Sequence, residues 1–238
     1  MTIVDPVIPS RRRVAVIGHR GSRATHPENS IEAFEYARQA GADAVELDVT
    51  PTPDGVLAVT HDAVWRDFAQ LPAGTPRIEQ VVEYANSNSL FLDVEAKFSP
   101  HAAMAAEEYA RTLAKSVTPL AGRLALRSFS RKLLRLLYSF APDIPLIALT
   151  RRSAVRWVGI AKRTHARAIS PNHWLVTPGE VRRAHRAGLP VYAWTVNRER
   201  EWLRMIRAGV DGIITDDPAA LIRFLDQSIN QAIPDVGP

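Results

Sequence analysis

The chain has 238 residues and no cysteine, with 46% hydrophobic and 23% charged residues and a net charge of +5. This composition is typical of a globular protein, and the absence of cysteine excludes disulfides, thiolate metal ligands and a thiol nucleophile. The longest uncharged stretch, Ala168–Gly179, is shorter than the ~20 residues of a membrane-spanning helix, and the N-terminus lacks the pattern of a signal peptide. We therefore expect a cytoplasmic protein without a transmembrane segment.

Short β-like runs alternate along the chain with amphipathic segments. The segment that contains Ile78, Val81, Val82 and Ala85 has helical apolar spacing, and Asn29 with Glu32 predicts a capping box at an earlier helix start. Repeated strand–helix units imply parallel strands joined by right-handed crossovers. The eight predicted strands are Val14–Gly18, Ala44–Val49, Leu90–Glu95, Leu124–Arg127, Leu146–Thr150, Ala166–Ser170, Val191–Thr195 and Gly212–Thr215.

Eight such units predict an α/β fold, namely a (β/α)8 TIM barrel in a single domain. We expect the barrel to span residues 14–227, between an N-terminal tail at 1–13 and a C-terminal tail at 228–238. A doubly wound open sheet is the alternative. It is disfavoured because no glycine-rich dinucleotide fingerprint follows the first predicted strand.

Barrel enzymes carry their catalytic groups at the C-terminal ends of the strands, and unusual polar residues fall at those places in this chain. The first strand ends at His19 and Arg20, the second at Glu46 and Asp48, and the third at Glu95 and Lys97. His61 and Asp62 follow the apolar run 56–60. Trp194, near the end of the seventh strand, is expected either to form a wall of the pocket or to pack in the barrel. Asp216, after the eighth strand, is expected to be a turn or capping residue.

The carboxylates of Glu46, Asp48 and Glu95 are expected to converge, because side chains two residues apart on a strand share a face. Three such groups repel one another unless a cation holds them, and oxygen ligands favour Mg²⁺ or Ca²⁺. With Arg20 and Lys97 counted, the site carries −1 without the ion and +1 with it. This charge suits a monoanionic phosphodiester.

Several ordered motifs resemble the glycerophosphodiester phosphodiesterase family. They are HRG at 19–21, PENS at 27–30, ELD at 46–48, DG at 54–55, HD at 61–62, VEAK at 94–97, SF at 128–129, WTVN at 194–197 and GVDGIITDDP at 209–218. The resemblance covers the chain from Val14 to about Leu225.

This resemblance implies a TIM barrel that hydrolyses glycerophosphodiesters to an alcohol and glycerol phosphate. By family analogy, His19 and His61 are the general acid and base, in an order that the sequence leaves open. Glu46, Asp48 and Glu95 would bind one divalent cation, and Arg20 and Lys97 would contact phosphate, with Trp194 added here as a further substrate-binding residue. The attacking group by the same analogy is the glycerol 2-hydroxyl, which would give a cyclic phosphate that water opens.

One departure from the family is a short segment, 63–75, between the HD motif and the next barrel helix, where relatives usually carry a longer insertion that shapes substrate recognition. A lysophospholipase D-like enzyme acting on a lipid head group is therefore one alternative. A non-catalytic phosphate-ligand binder on the same barrel is another. No zinc-finger spacing, RNA-binding signature or long basic tract appears, so we expect a small-molecule substrate and no nucleic acid.

Overall fold

The computed structural model describes residues 5–62, 66–98, 104–120, 122–151 and 156–230. Residues 228–230 are described without their side chains. Within these ranges nine strands and eight α-helices alternate along the chain. The strands are β1 Ala15–His19, β2 Ala44–Pro51, β3 Leu57–Val59, β4 Leu92–Ala96, β5 Leu124–Ser128, β6 Leu146–Thr150, β7 Ala168–Pro171, β8 Tyr192–Ala193 and β9 Gly212–Thr215. The helices are α1 Ile31–Gln39, α2 Ile78–Ser87, α3 Ala106–Val117, α4 Arg131–Phe140, α5 Trp157–Thr164, α6 Pro178–Arg186, α7 Glu199–Ala208 and α8 Pro218–Asn230.

Eight parallel strands form the barrel in the order β7-β6-β5-β4-β2-β1-β9-β8. Two isolated parallel bridges, Ile169 to Val191 and Asn172 to Trp194, join β7 to β8 and nearly close it. The additional strand β3, which lies within the apolar run before His61, pairs antiparallel with β2. The predicted TIM barrel is confirmed, and each of its eight predicted strands overlaps an observed one.

Each helix buries one apolar stripe against the barrel. In α2 the buried residues are the four that the sequence spacing predicts, Ile78, Val81, Val82 and Ala85. The first turn of α8 is capped by Asp217, whose Oδ1 accepts a hydrogen bond of 2.9 Å from the backbone N–H of Ala220. In the part of the chain that the structure describes, no helix combines the length and apolarity needed to cross a membrane.

The N-terminal end of the barrel is covered by residues that the sequence analysis assigns to a tail. Val7 and Ile8 are buried and pack with strand residues such as Ile17 and Ile147. Their backbone N–H groups each donate to the Tyr192 hydroxyl at 3.0 Å. The apolar Val-Ile pair therefore closes the barrel from below, and residues 7 and 8 belong to its packing and not to a free tail.

Candidate active site

The eight residues predicted to act in catalysis, substrate binding or metal binding all line one cavity of about 130 Å³ at the C-terminal ends of the strands. They are His19, Arg20, Glu46, Asp48, His61, Glu95, Lys97 and Trp194. Trp194 thus takes the first of its two expected positions. The cavity is also lined by Arg127, Phe129 and Arg151, none of which the sequence analysis singles out as a site residue.

The strand register brings the three carboxylates together. Asp48 on β2 is the register partner of Glu95 on β4, and Glu46 lies two residues before Asp48 on the same strand. Oxygen atoms of the three groups all lie within 4.8 Å of one another, and the three residues are buried. Burial, followed by the nearby charge of Asp48, raises the pKa of Glu46 well above its ordinary value.

Two cations contact this carboxylate cluster. The Lys97 ammonium lies 3.0 Å from Glu95 Oε1 and 3.4 Å from Asp48 Oδ1. Burial would lower the pKa of Lys97, but the two carboxylates outweigh that effect and raise it. Arg20 places its Nε 3.0 Å from Asp48 Oδ2, and its backbone N–H donates to Glu46 Oε2 at 3.0 Å.

The turn that carries Arg20 depends on glycine. Gly21 has a φ of 83°, and a Cβ there would lie 2.6 Å from the backbone carbonyl carbon of Ala33 in α1. Arg20 itself adopts a φ of 52°. No larger residue at 21 fits against α1 without a shift of backbone, so the HRG motif fixes the position of Arg20 beside the cluster.

Asn29 holds Asp48 in place and does not cap α1. Its side-chain oxygen accepts from the Asp48 backbone N–H at 3.1 Å, and its amide donates to Asp48 Oδ2 at 3.1 Å. The helix cap is Ser30, whose hydroxyl accepts from the Ala33 N–H at 3.1 Å. The predicted Asn29–Glu32 capping box is therefore wrong, because Asn29 is buried with a φ of 58° and its amide is used by the site.

His19 is oriented by a carboxylate from the other end of the chain. Its Nδ1 lies 2.5 Å from Asp216 Oδ1, and Asn197 donates to Asp216 Oδ2 at 2.7 Å. Burial alone would raise the pKa of Asp216, but the hydrogen bond and charge of His19 hold it below its ordinary value. Asp216 is thus a partner of His19 as well as a residue of the β9–α8 turn, and the capping role belongs to Asp217.

His61 is held more loosely than His19. Its Nδ1 lies 3.0 Å from Asp62 Oδ1, and its side chain is 40% exposed, against 15% for His19. Asp62 is itself 92% exposed, so solvent screens the pair strongly. The two histidines therefore sit in different electrostatic surroundings at one cavity.

A buried ion pair lies at the base of the cavity. Arg127 Nη1 lies 2.8 Å from Asp93 Oδ2, and both side chains are almost completely buried. Arg127 also donates to the Ser170 hydroxyl, which in turn donates to the Tyr192 carbonyl at 2.6 Å. Burial raises the pKa of Asp93 to about 6, although the charge of Arg127 opposes that rise.

Arg151 forms a basic edge of the cavity. Its guanidinium lies 4.5 Å from the centre of the Phe129 ring and 5.5 Å from that of Trp194. Two further arginines line the cavity, but the charge of Arg127 is compensated by Asp93, so only Arg151 adds to the count. The sequence-based charge of −1 omits Arg151, which brings the sum to zero without an ion, so net charge alone does not require a cation.

The donor set nevertheless fits a divalent cation. The ligands offered by Glu46, Asp48 and Glu95 are all carboxylate oxygens, which hard cations such as Mg²⁺ and Ca²⁺ prefer. Their mutual distances allow one ion to reach all three. The Lys97 ammonium, bridging two of the carboxylates, already shows that a positive charge is stabilised at this position.

Comparison with known proteins gives consistent matches over most of the chain. The profile of the glycerophosphoryl diester phosphodiesterase family matches residues 19–71 and 64–220. A glycerophosphodiester phosphodiesterase from Caldanaerobacter subterraneus subsp. tengcongensis is 31% identical over 90% of this chain and 98% of its own.

Solved structures agree with these sequence matches. One from Silicibacter pomeroyi, described as a candidate glycerophosphoryl diester phosphodiesterase, has a TM-score of 0.85 at 26% identity and covers 93% of this chain and 96% of its own. An Oleispira antarctica phosphodiesterase in complex with the product sn-glycerol-3-phosphate has a TM-score of 0.80 over 89% of this chain and 96% of its own. At 23% identity this second likeness concerns the fold alone. The profile match and the Caldanaerobacter relative together show that the chain belongs to the glycerophosphoryl diester phosphodiesterase family.

Proposed function

We propose that this protein hydrolyses glycerophosphodiesters to an alcohol and glycerol phosphate, with a divalent cation and two histidines in the reaction. As a family member the protein is a phosphoric diester hydrolase. The proposed substrate and mechanism rest on one observation: two histidines, three carboxylates and two cations line the same cavity of the barrel.

The side chains of the cavity have separate roles in this proposal. Glu46, Asp48 and Glu95 would hold Mg²⁺ or Ca²⁺, which when bound supplies positive charge against the phosphate and its developing negative charge. Arg20 and Lys97 would contact phosphate oxygens and stabilise the transition state. Asp48 pairs with both, while Glu28 pairs with Arg20 and Glu95 with Lys97, so the two cations stay positioned before substrate arrives.

His19 and His61 would exchange protons with the reacting oxygens. One removes the proton of the attacking hydroxyl, and the other protonates the alcohol as the phosphorus–oxygen bond breaks. With Nδ1 of His19 engaged by Asp216, its Nε2 is the ring nitrogen available for proton transfer. The same hydrogen bond fixes the orientation of the imidazole ring.

Substitution of each histidine tests these roles. His19→Ala and His61→Ala should each lower kcat by ~10²–10⁴ on glycerophosphoglycerol, because each removes one proton-transfer group. The control is His165→Asn, which removes a histidine at the C-terminal end of α5, stacked on Tyr138 outside the cavity. Full activity in both alanine variants would contradict the assignment.

The cation is tested by removal and by direct binding. Treatment with a chelator should abolish hydrolysis, and Mg²⁺ or Ca²⁺ should restore it. Calorimetric titration of the stripped protein should detect one site, which Asp48→Asn weakens. Unchanged activity after chelation, together with no measurable binding, would contradict the metal site.

A lipid-directed activity is a second candidate because an aromatic side chain stands exposed in the β7–α6 connection, at the same end of the barrel as the cavity. Trp174, in the turn after β7, is 70% exposed, and indoles favour lipid–water boundaries. Faster hydrolysis of lysophosphatidylcholine than of glycerophosphocholine would favour this alternative. The cytoplasmic location and the absence of nucleic-acid binding stay predictions from the sequence, which cell fractionation and a DNA-binding titration would test.

A further inference from the structure

A second, larger groove adjoins the cavity and is rich in arginine. It measures about 580 Å³ and is lined among others by Phe129, Arg131, Leu149, Arg151 and Arg156. Phe129, Leu149 and Arg151 line both spaces, so the groove continues the cavity across the mouth of the barrel. We call it the arginine groove.

The size of the cavity requires such an extension. Small-molecule sites usually measure about 300–1,000 Å³, whereas the space between the histidines and carboxylates is about 130 Å³. It can hold a phosphate and its nearest atoms but not a whole diester. One of the two groups esterified to the phosphate must therefore extend beyond it, and among the described residues the arginine groove is a space that adjoins it.

The arginine groove is strongly positive. Arg131, Arg151 and Arg156 make no ion pair with any carboxylate among the described residues, and no described acidic residue lines the groove. Arg151 lies over the Phe129 and Trp194 rings and pairs with no carboxylate of the described residues. A guanidinium that is not paired within the protein is free to bind a phosphate or carboxylate of a ligand.

The two helices that begin at the groove add to this charge. α4 begins at Arg131 and α5 follows Arg156, and neither helix has an acidic residue in its first turn. The positive end of a helix dipole normally favours acidic residues, so an arginine at each of these starts is unfavourable for the helices. Local rules of this kind are broken most often at functional sites.

We propose that the arginine groove binds the alcohol portion of the diester and selects alcohols that carry a negative charge of their own. This inference rests on the proposed function and names its substrate class: glycerophosphodiesters whose leaving alcohol bears a phosphate or a carboxylate. In the reaction, water is consumed, the phosphorus–oxygen bond to that alcohol breaks, and the products are glycerol phosphate and the anionic alcohol. Cationic alcohols such as choline are disfavoured by the same arginines.

Two substrates that differ by one phosphate test the proposal. The leaving alcohol is glycerol phosphate in glycerophosphoglycerol phosphate and uncharged glycerol in glycerophosphoglycerol. Wild-type kcat/KM for the first substrate should exceed that for the second by about tenfold or more. The ratio should fall as salt rises from 50 to 500 mM, because the groove is exposed to solvent and its charges are screened. Glycerophosphocholine should be the poorest of the three substrates.

Substitutions assign the preference to the groove. In Arg131→Gln/Arg156→Gln the ratio of the two kcat/KM values should approach one, with the loss confined mainly to KM of the phosphorylated substrate. The matched control Arg182→Gln removes an exposed arginine from α6, outside the groove, and should keep the wild-type ratio.

The outcomes separate this inference from the function on which it rests. If no diester is hydrolysed, the proposed function fails and the inference fails with it. If the neutral diester is hydrolysed and the wild-type ratio is one or less, only the inference is overturned. If the double variant loses sedimentation with phosphatidylglycerol vesicles but keeps the wild-type ratio, the groove binds an anionic lipid surface and the proposed substrate class is wrong.

Discussion

The buried pair of Arg127 and Asp93 makes the stability of the barrel depend on a charge at the base of the cavity. The Arg127→Met variant keeps most of the side-chain volume but leaves the Asp93 carboxylate buried without its cation, 2.8 Å away in the native protein. Removal of one partner of a buried pair costs about 3–5 kcal/mol. For a domain of this size, that corresponds to a fall in Tm of about 6–20 °C.

The double variant Asp93→Leu/Arg127→Met tests whether the cost comes from the unpaired charge. It removes both charges, and the Ser170 hydroxyl keeps its hydrogen bond to the Tyr192 carbonyl. Apolar replacement of a whole buried pair is often neutral or stabilising. We therefore expect the double variant to be more stable than Arg127→Met in thermal and urea unfolding followed by circular dichroism. A double variant as unstable as the sum of its single variants would show that the cost does not come from the unpaired Asp93 charge.

Three further predictions concern neighbouring groups. Asp216→Asn removes the charge that orients His19 and should lower kcat by at least about tenfold with little change in Tm; an unchanged kcat and pH profile would contradict the orienting role. Tyr192→Phe leaves two buried N–H groups of the N-terminal segment without their acceptor and should lower the free energy of unfolding by about 1–3 kcal/mol. A loss below about 0.5 kcal/mol, as for a surface substitution, would contradict the stabilising role of the Tyr192 hydroxyl. Because burial raises the pKa of Asp93 to about 6, its carboxyl contributes stability below pH ~4 that is lost as the pH rises through about 6. Asp93→Asn should therefore gain about 2.4 kcal/mol relative to wild type between pH 4 and pH 7, and parallel pH profiles of the two proteins would contradict this pKa.

The barrel and the eight predicted site residues could be predicted from the sequence because both follow from the same repeated strand–helix pattern. Strands alternate with helices, and polar side chains stand where the strands end. Glu46, Asp48 and Glu95 share a cavity because they occupy neighbouring parallel strands, and spacing alone contains that information.

Other site residues could not be found this way, because their residue types suit an ordinary local role. Asp216 before a helix resembles a cap, and only the meeting of β1 and β9 brings it to His19. Asn29 likewise precedes a helix, yet its amide holds Asp48 across the chain. Arg127 did carry a readable signal, since an arginine inside a buried strand requires a buried partner.

The packing of the N-terminal segment against the barrel could not be predicted for a different reason. Val7 and Ile8 are too few to form a recognisable apolar pattern, and their burial depends on the open lower end of the barrel. Arg131 and Arg151 are far apart along the chain, with the exposed Arg135 between them. Their common groove becomes visible only when the ends of β5 and β6 are placed side by side.

We propose that the cavity of histidines, carboxylates and cations hydrolyses glycerophosphodiesters with a divalent cation. The most direct measurement is release of glycerol phosphate from glycerophosphoglycerol by the purified full chain, with Mg²⁺ or Ca²⁺ and with a chelator. We predict release with either or both cations and none with the chelator. No release under any of these conditions, from this substrate or from a panel of other glycerophosphodiesters, would contradict the account.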